Sequence, residues 1–96
     1  MKYRIEYIST FHADIIFIEE SLKEYPKKAT RVFAKADRLL RNLEDMPELY
    51  PVYYDAPAFR FIVVEDYLIF YKVIHDDKII EVYRMLYGRM NMPEHL

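Results

Sequence analysis

Three apolar runs in the last third of the chain decide its fold: Phe59-Arg60-Phe61-Ile62-Val63-Val64, then Tyr67-Leu68-Ile69-Phe70-Tyr71-Lys72-Val73-Ile74, and finally Ile79-Ile80-Glu81-Val82-Tyr83-Arg84-Met85-Leu86-Tyr87. β-Branched and aromatic residues dominate all three runs, and such residues fit the half-buried surface of a pleated sheet. The breaks between the runs are short and acidic, Glu65-Asp66 and Asp76-Asp77. The pattern predicts three antiparallel strands joined by two tight hairpins.

A further strand is expected near the start of the chain. From Lys2 to Ile8 polar and apolar residues alternate, which places Tyr3, Ile5 and Tyr7 on one face of a half-buried strand. The backbone groups of a lone strand would lack partners, so this strand is expected to join the same sheet.

Two helices are predicted between the first strand and the other three. Ser9 or Thr10 is expected to cap the first helix, and this helix should end near Tyr25 because Pro26 disfavours a helical residue before it. Pro26 also suits the first turn of a second helix. Apolar residues then recur at spacings of three and four: Ala29, Val32, Phe33, Ala36, Leu39, Leu40 and Leu43. Because almost no linker separates the helices, they should form an antiparallel hairpin.

The opposite face of the second helix is basic. It carries Lys27, Lys28, Arg31, Lys35, Arg38 and Arg41, with Asp37 the one acid among them. We interpret this face as an ordinary solvated helix surface, because the negative net charge of the chain argues against RNA binding. Contact with an acidic segment of a partner protein stays open.

The other segments connect or end these elements. Pro47, Pro51 and Pro57 exclude a regular central element between the second helix and the three strands. Gly88 is expected to end the last strand, and it is free to take a positive φ. The sequence therefore predicts an α+β fold in the order β-α-α-β-β-β, with a small antiparallel-meander sheet backed by an α-helical hairpin, as one domain over residues 1–96.

Length and composition bound the class of protein. The chain has 96 residues, 53% of them hydrophobic and none of them cysteine, which excludes a disulfide framework and a thiolate metal site. The N-terminus lacks an apolar signal region and no run is long enough to span a bilayer, so we expect a cytoplasmic protein without a membrane partner. A net charge of −2 argues against broad binding of nucleic-acid backbones.

In its order of elements and in several phrases, the chain resembles the RelE/ParE superfamily of toxins from bacterial type II toxin–antitoxin systems. The resemblance rests on the α-hairpin and three phrases, Tyr3-Arg4-Ile5-Glu6-Tyr7, Tyr67-Leu68-Ile69-Phe70-Tyr71-Lys72-Val73 and Val82-Tyr83-Arg84-Met85-Leu86-Tyr87-Gly88-Arg89. It covers nearly the whole chain. It implies a cognate antitoxin that wraps and masks the toxin. It also implies a target, which is DNA gyrase for ParE-type toxins and messenger RNA on the ribosome for RelE-type endonucleases.

Within this superfamily, the RelE-like nucleases take their catalytic groups from basic residues of the second and third strands and from Arg, Tyr or His after the last strand. Carried over by position, these are Arg60, Arg84, Tyr87 and Arg89. Cleavage through the 2′-OH needs a base, an acid and cations that stabilise the phosphorane. However, Leu68 occupies the usual third-strand arginine position and Met90 replaces a second basic residue. A third-strand cation and a clear general base are therefore missing.

Two of these candidates have a plainer structural interpretation. Arg60 is expected more often as a strand-edge residue paired with Asp55 or Glu81 than as a phosphate clamp. Tyr87 is expected to pack at the sheet edge, in a chain with ten tyrosines.

Arg84 is balanced between two interpretations. It is expected on an apolar strand face with Ile80, Val82 and Leu86, where it is either a site residue or half of a satisfied buried pair.

The three histidines are weak candidates. His12 and His75 are expected to be solvated, and His95 lies in the tail without an adjacent tyrosine. Scattered single histidines without carboxylates at ligand spacing make no metal site, and no cofactor is expected.

These observations favour a ParE-like growth inhibitor that is not a nuclease and that acts on gyrase. The reasons are Leu68, the apolar second strand after Arg60, and the acid-leaning charge. The alternative is a RelE-like ribosome-dependent messenger-RNA endonuclease that uses the four candidates above. A second alternative is a degenerate member that only binds its antitoxin.

Overall fold

The computed structural model describes residues 2–88 and residue 96. In chain order the elements are β1 Arg4–Tyr7, α1 Ser9–Ser21, α2 Pro26–Arg41, a short 3₁₀ helix Asn42–Glu44, β2 Arg60–Val64, β3 Tyr67–Ile74 and β4 Ile79–Tyr87. The predicted α+β class and the predicted order of elements are confirmed.

The four strands form one sheet in the order β1-β4-β3-β2. The last three strands are the predicted antiparallel meander, whereas β1 lies parallel to β4, with Arg4 opposite Ile79 and Tyr7 opposite Val82. Two helices separate β1 from the meander, and a connection of that length allows a parallel partner. The sheet is therefore antiparallel except at the β1 edge.

The main core lies between the sheet and the two helices. Its fully buried side chains come from α2, the 3₁₀ helix and alternate positions of β2, β3 and β4: Val32 and Leu43, then Ile62, Val64, Ile69, Tyr71, Ile80 and Val82. Burying each large apolar side chain contributes about 1.5–3 kcal/mol. The periodicity of α2 and the alternation of the strands therefore account for this layer.

A second, smaller cluster covers the other face of the sheet. Phe59, Phe70 and Leu86 are buried there, with Tyr53 and Tyr83 packed around them. The irregular segment before β2 folds back onto this face, where the Tyr53 N–H donates to the Phe59 carbonyl at 2.8 Å. We call this face, which is turned away from the helices, the aromatic face.

Both ends of α1 differ from the prediction. Ile8 occupies the capping position and no side chain caps the helix, because the Thr10 hydroxyl donates instead to the Tyr83 carbonyl of β4 at 2.7 Å. The helix ends at Ser21 rather than near Tyr25, and a turn follows in which the Tyr25 N–H donates to the Leu22 carbonyl at 2.8 Å. This early end lets the core residue Leu22 turn inward before α2 begins.

Positive φ occurs in the two hairpin turns and not at Gly88, although the sequence left Gly88 free to adopt it. Glu65 and Lys78 take positive φ in the turns, each at 54°, but Gly88 does not. The Gly88 N–H donates to the Asp66 carbonyl at 2.7 Å, and a Cβ at position 88 would lie 3.2 Å from that oxygen. Gly88 is therefore favoured by close backbone approach and not by its φ.

The helices are too short or too polar to cross a bilayer. Within residues 2–88 and 96, none reaches the length and apolar character that a membrane-spanning helix requires.

Candidate functional site

Helix α1 completes the edge of β4 that β1 leaves uncovered. β1 ends opposite Val82, and β4 continues to Tyr87. Along this stretch the Thr10 hydroxyl bonds the Tyr83 carbonyl, and the Asp14 carboxylate accepts the Met85 N–H at 3.0 Å. Two side chains of a helix therefore supply hydrogen bonds that a neighbouring strand would otherwise make.

Asp14 also holds the candidate Arg84. The Arg84 Nε lies 2.7 Å from Asp14 Oδ2 and its Nη2 lies 2.9 Å from Oδ1, a bidentate pair in which the side chains are 23% and 13% exposed. The bond to Asp14 raises the pKa of Arg84 above its ordinary value, against a smaller opposing effect of burial. The geometry matches the buried-pair interpretation of this arginine.

The sequence analysis did not identify Asp14 as the partner of Arg84, although the position of Asp14 in α1 indicates that it could pair with a cation. It lies three residues after Phe11 and four before Ile18, and both are buried. That spacing places its carboxylate at the edge of the buried face of α1. An acid at the edge of an apolar stripe indicates a cation on the facing element, but it does not say which one.

A β-bulge at Tyr83 changes the expected neighbours of Arg84. Phe70 lies opposite Arg84 and Tyr71 lies opposite Val82, so β4 carries one extra residue between them. The alternation therefore shifts, which leaves Val82 in the main core and Leu86 on the aromatic face. The prediction that Arg84 shares one face with Ile80, Val82 and Leu86 is wrong for this reason.

A surface groove of about 480 Å³ runs between α1 and the end of β4, and we call it the α1–β4 groove. The candidates Arg84 and Tyr87 both line it, together with Tyr67, whose ring lies 6.0 Å from that of Tyr87. Phe17 stands at its rim with 71% of its surface exposed. The groove is thus mainly apolar, and its guanidinium is already bound to a carboxylate.

Arg60 lies elsewhere, at the start of β2. Its guanidinium donates to the Tyr50 carbonyl at 2.7 Å and to the Glu48 carboxylate at 3.0 Å. The expectation of an ion pair was right, but the partner is Glu48 rather than Asp55 or Glu81, because the loop before β2 folds back over the strand.

Of the three candidates that the structure describes, Arg60 lies apart from Arg84 and Tyr87. β3 separates the strands of Arg60 and Arg84, which puts their backbones roughly 10 Å apart, and the two head groups bind different partners. Arg84 and Tyr87 share the α1–β4 groove. Arg89 lies outside the described residues, as do Met90 and His95.

Lys72 is a cation on β3 that the position-by-position comparison with the RelE-like nucleases did not identify. Its Nζ lies on the aromatic face, 4.7 Å from the centroid of the Phe59 ring and 5.0 Å from that of Tyr83. Leu68, at the position where a catalytic arginine was sought, packs on the same face. An alternating strand places positions 68 and 72 on one side, so a search by face would have found this lysine.

The histidines offer little chemistry. His75 was expected to be solvated, and it is half exposed, but its Nδ1 lies 2.8 Å from the Tyr3 hydroxyl and its Nε2 lies 3.7 Å from Glu48. Across residues 2–88 and 96, no three histidine or acidic side chains come together as metal ligands.

The chain is similar to a known protein family in sequence and to a solved structure in its fold. A family model described as the ParE toxin of the type II toxin–antitoxin system, parDE, matches residues 5–92. Among solved structures, the chain resembles one from the toxin–antitoxin complex RelBE2 of Mycobacterium tuberculosis, with a TM-score of 0.64 and 13% identity over 91% of this chain and 99% of that one. No curated protein matches in sequence.

The fold is thus that of the RelE/ParE toxins, as the sequence predicted. The chain belongs to the ParE toxin family of type II toxin–antitoxin systems.

Proposed function

We propose that this toxin inhibits growth in the ParE manner, by acting on DNA gyrase without cleaving RNA, and that a cognate antitoxin neutralises it. The observation that carries the proposal is that the two strand arginines already bind carboxylates. Arg60 and Arg84 both make close contacts with carboxylates of this same chain.

A nuclease would need these guanidiniums to bind the scissile phosphate. Arg84 would have to exchange a bidentate carboxylate in a half-buried setting for a substrate phosphate. Truncating one partner of a buried pair typically costs about 3–5 kcal/mol, which indicates how much a phosphate would have to offset. The negative net charge of the chain and the mainly apolar α1–β4 groove also argue against binding of an RNA phosphate.

One observation favours the alternative, a RelE-like endonuclease. Lys72 stands between two rings on the sheet face that is turned away from the helices. An aromatic pair with a cation can stack a base and hold its phosphate. In that reading Lys72 would stabilise the charged phosphorane.

The experiment that separates the two functions uses two purified systems in parallel. A reconstituted translation reaction with one defined messenger RNA is mapped for breaks by primer extension, and a gyrase supercoiling reaction is run with the same toxin preparation. We expect an intact message and inhibited supercoiling. Breaks at codons in the ribosomal A site would refute the proposal, and Lys72→Ala should then remove them while Lys72→Arg keeps them.

The degenerate alternative is tested by expression. A chain that accumulates in growing cells without an antitoxin, and that arrests neither supercoiling nor translation, is not a toxin. We expect instead that inducible expression stops growth and activates DNA-damage signalling, and that co-expression of the neighbouring gene of the same operon restores growth.

A further inference from the structure

The outward face of α2 is strongly basic, although the chain as a whole is negatively charged. Between Pro26 and Arg41 the helix has six lysines and arginines and a single acid, Asp37. Since the whole chain has a net charge of −2, α2 alone carries +5 and the remaining residues together carry −7. The net charge favoured an ordinary solvated surface, but it conceals a polarised distribution with the positive charge concentrated on one helix.

Helical spacing aligns these cations along the exposed side of α2. Val32, Ala36 and Leu40 are buried, so the opposite side of the helix faces outward. Lys27 and Arg38 lie there, eleven residues apart, which separates their backbones by about 16 Å along the helix axis. We call the outward face the basic ridge and define it by its six cations: Lys27, Lys28, Arg31, Lys35, Arg38 and Arg41.

Half of these cations have no carboxylate partner. Three of the six form ion pairs within the chain: Lys28 with Asp66 at 3.1 Å, Arg31 with Glu65 at 2.6 Å, and Arg41 with Asp37 at 2.8 Å. Within residues 2–88 and 96, no ion pair involves Lys27, Lys35 or Arg38. Because exposed pairs contribute little to stability, an external anion can compete for the paired cations as well.

The basic ridge lacks the side chains that other anionic partners normally require. Within the part of the chain that the structure describes, none of the large exposed apolar side chains belongs to α2. Between the cations stand the small residues Thr30 and Ala34. A protein partner usually needs an apolar or aromatic anchor, and a single-stranded nucleic acid needs exposed rings that stack its bases. A nucleic-acid duplex needs neither, because its outer surface is a lattice of phosphates.

We propose that the basic ridge binds the phosphate backbone of duplex DNA. The proposal rests on the function proposed above, since gyrase acts on a DNA duplex, and it identifies the surface of the toxin that contacts this duplex. Each strand of a duplex carries one phosphate per about 3.4 Å of axis, so a ridge of about 16 Å spans roughly five phosphates. The small side chains of Thr30 and Ala34 allow the DNA backbone to approach the helix closely.

Salt dependence of DNA binding tests the proposal with the intact toxin. The probe is a labelled duplex of arbitrary sequence, and its binding is followed by fluorescence anisotropy at several salt concentrations. Three cations without ion pairs predict a slope of about −2.7 for the logarithm of the affinity against that of the salt concentration, which is a loss of roughly 40-fold between about 50 and 200 mM. Absence of binding at the lowest salt concentration would refute the proposal.

Two charge-matched double variants locate the binding surface. The first, Lys35→Gln with Arg38→Gln, removes two cations of the basic ridge, and the second, Lys2→Gln with Lys23→Gln, removes two exposed cations elsewhere. With both variants folded by circular dichroism, we expect the ridge variant to bind the duplex at least about tenfold more weakly at about 50 mM salt, with a slope near −1. The control variant should keep the wild-type slope. Equal weakening by both would show that net charge alone governs binding and would overturn the proposal.

Two competitors test the other possible occupants. Poly-glutamate represents an acidic polypeptide, and a single-stranded RNA with as many phosphates as the duplex represents the other class of nucleic acid. We expect the duplex to displace both from the toxin. A ridge that prefers poly-glutamate would be a protein-binding surface, and one that prefers the RNA would be a single-strand site; either result refutes the proposal.

The supercoiling reaction separates this proposal from the function on which it rests. If the wild-type toxin does not inhibit gyrase, the proposed function fails, and the anisotropy measurement still decides what the basic ridge binds. If the wild-type toxin inhibits gyrase, we expect the ridge variant to require at least about tenfold more protein for the same inhibition, whereas the control variant matches the wild type. Equal inhibition by the ridge variant and the wild type would refute a contact between the ridge and the DNA that gyrase holds.

Discussion

Replacing Asp14 by asparagine should destabilise the toxin far more than any exposed charge substitution. The Asp14 carboxylate accepts from three donors: Arg84 Nε at 2.7 Å, Arg84 Nη2 at 2.9 Å and the Met85 N–H at 3.0 Å. An asparagine keeps the shape but has one oxygen. Its amide nitrogen must therefore face at least one of these donors, and a donor–donor contact replaces a charge-assisted hydrogen bond.

The magnitude follows from burial and from charge. Breaking a fully buried ion pair costs about 3–5 kcal/mol, and partial exposure of the arginine allows water to offset part of that. The side chain of Arg84 is 23% exposed and that of Asp14 is 13% exposed. We therefore expect a loss of about 2–3 kcal/mol in the free energy of unfolding. For a domain of this size, that lowers Tm by roughly 10–20 °C.

The assay is thermal and urea unfolding followed by circular dichroism, with Glu20→Gln as the matched control. Glu20 lies on the same helix and pairs with Lys23 at 2.9 Å, but these side chains are 72% and 64% exposed. The control should change stability by less than about 0.5 kcal/mol. If Asp14→Asn and Glu20→Gln unfold within about 2 °C of each other, the argument that α1 supports the open edge of β4 is wrong.

Two further predictions concern buried tyrosine and the aromatic face. Burial raises the pKa of Tyr71 from 10.0 to about 12, so the stability that its neutral form supplies is complete below pH 10 and is lost as the pH rises towards 12. Relative to Tyr71→Phe, the wild-type chain should lose about 2–3 kcal/mol over that interval in urea titrations; parallel pH profiles would contradict this. Lys72→Ala should cost about 1 kcal/mol through lost contacts with Phe59 and Tyr83, and Lys72→Arg should restore most of it, whereas equal melting temperatures for all three chains would show that the contact contributes nothing.

The parts of the fold that were predictable depend on local periodicity. The spacing of Val32, Ala36 and Leu40 places them on one face of α2, and all three are buried. The alternation in β3 likewise separates the core residue Ile69 from the aromatic-face residue Phe70. In such elements the pattern of side chains specifies both the secondary structure and the buried face.

Features that depend on distant residues were not predictable. The alternation of polar and apolar residues in a strand does not specify whether its partner runs parallel or antiparallel. The parallel pairing of β1 with β4 could therefore not be inferred from the residues of β1. The Arg84–Asp14 pair joins positions that are 70 residues apart. The bulge at Tyr83 reverses the faces of the residues after it, and no glycine or proline marks its position. The candidate site is thus less accessible to sequence reasoning than the scaffold around it.

The unequal lengths of β1 and β4 explain the position of α1. β4 runs from Ile79 to Tyr87, and β1 covers only its first half. The second half is served by Thr10 and Asp14 of α1, which follow β1 almost at once. The same short connection places β1 at the margin of the sheet, where β4 is its neighbour among the described strands. The Asp14 carboxylate thus stands in for a strand that the short β1 does not supply, so its loss should be felt along the second half of β4.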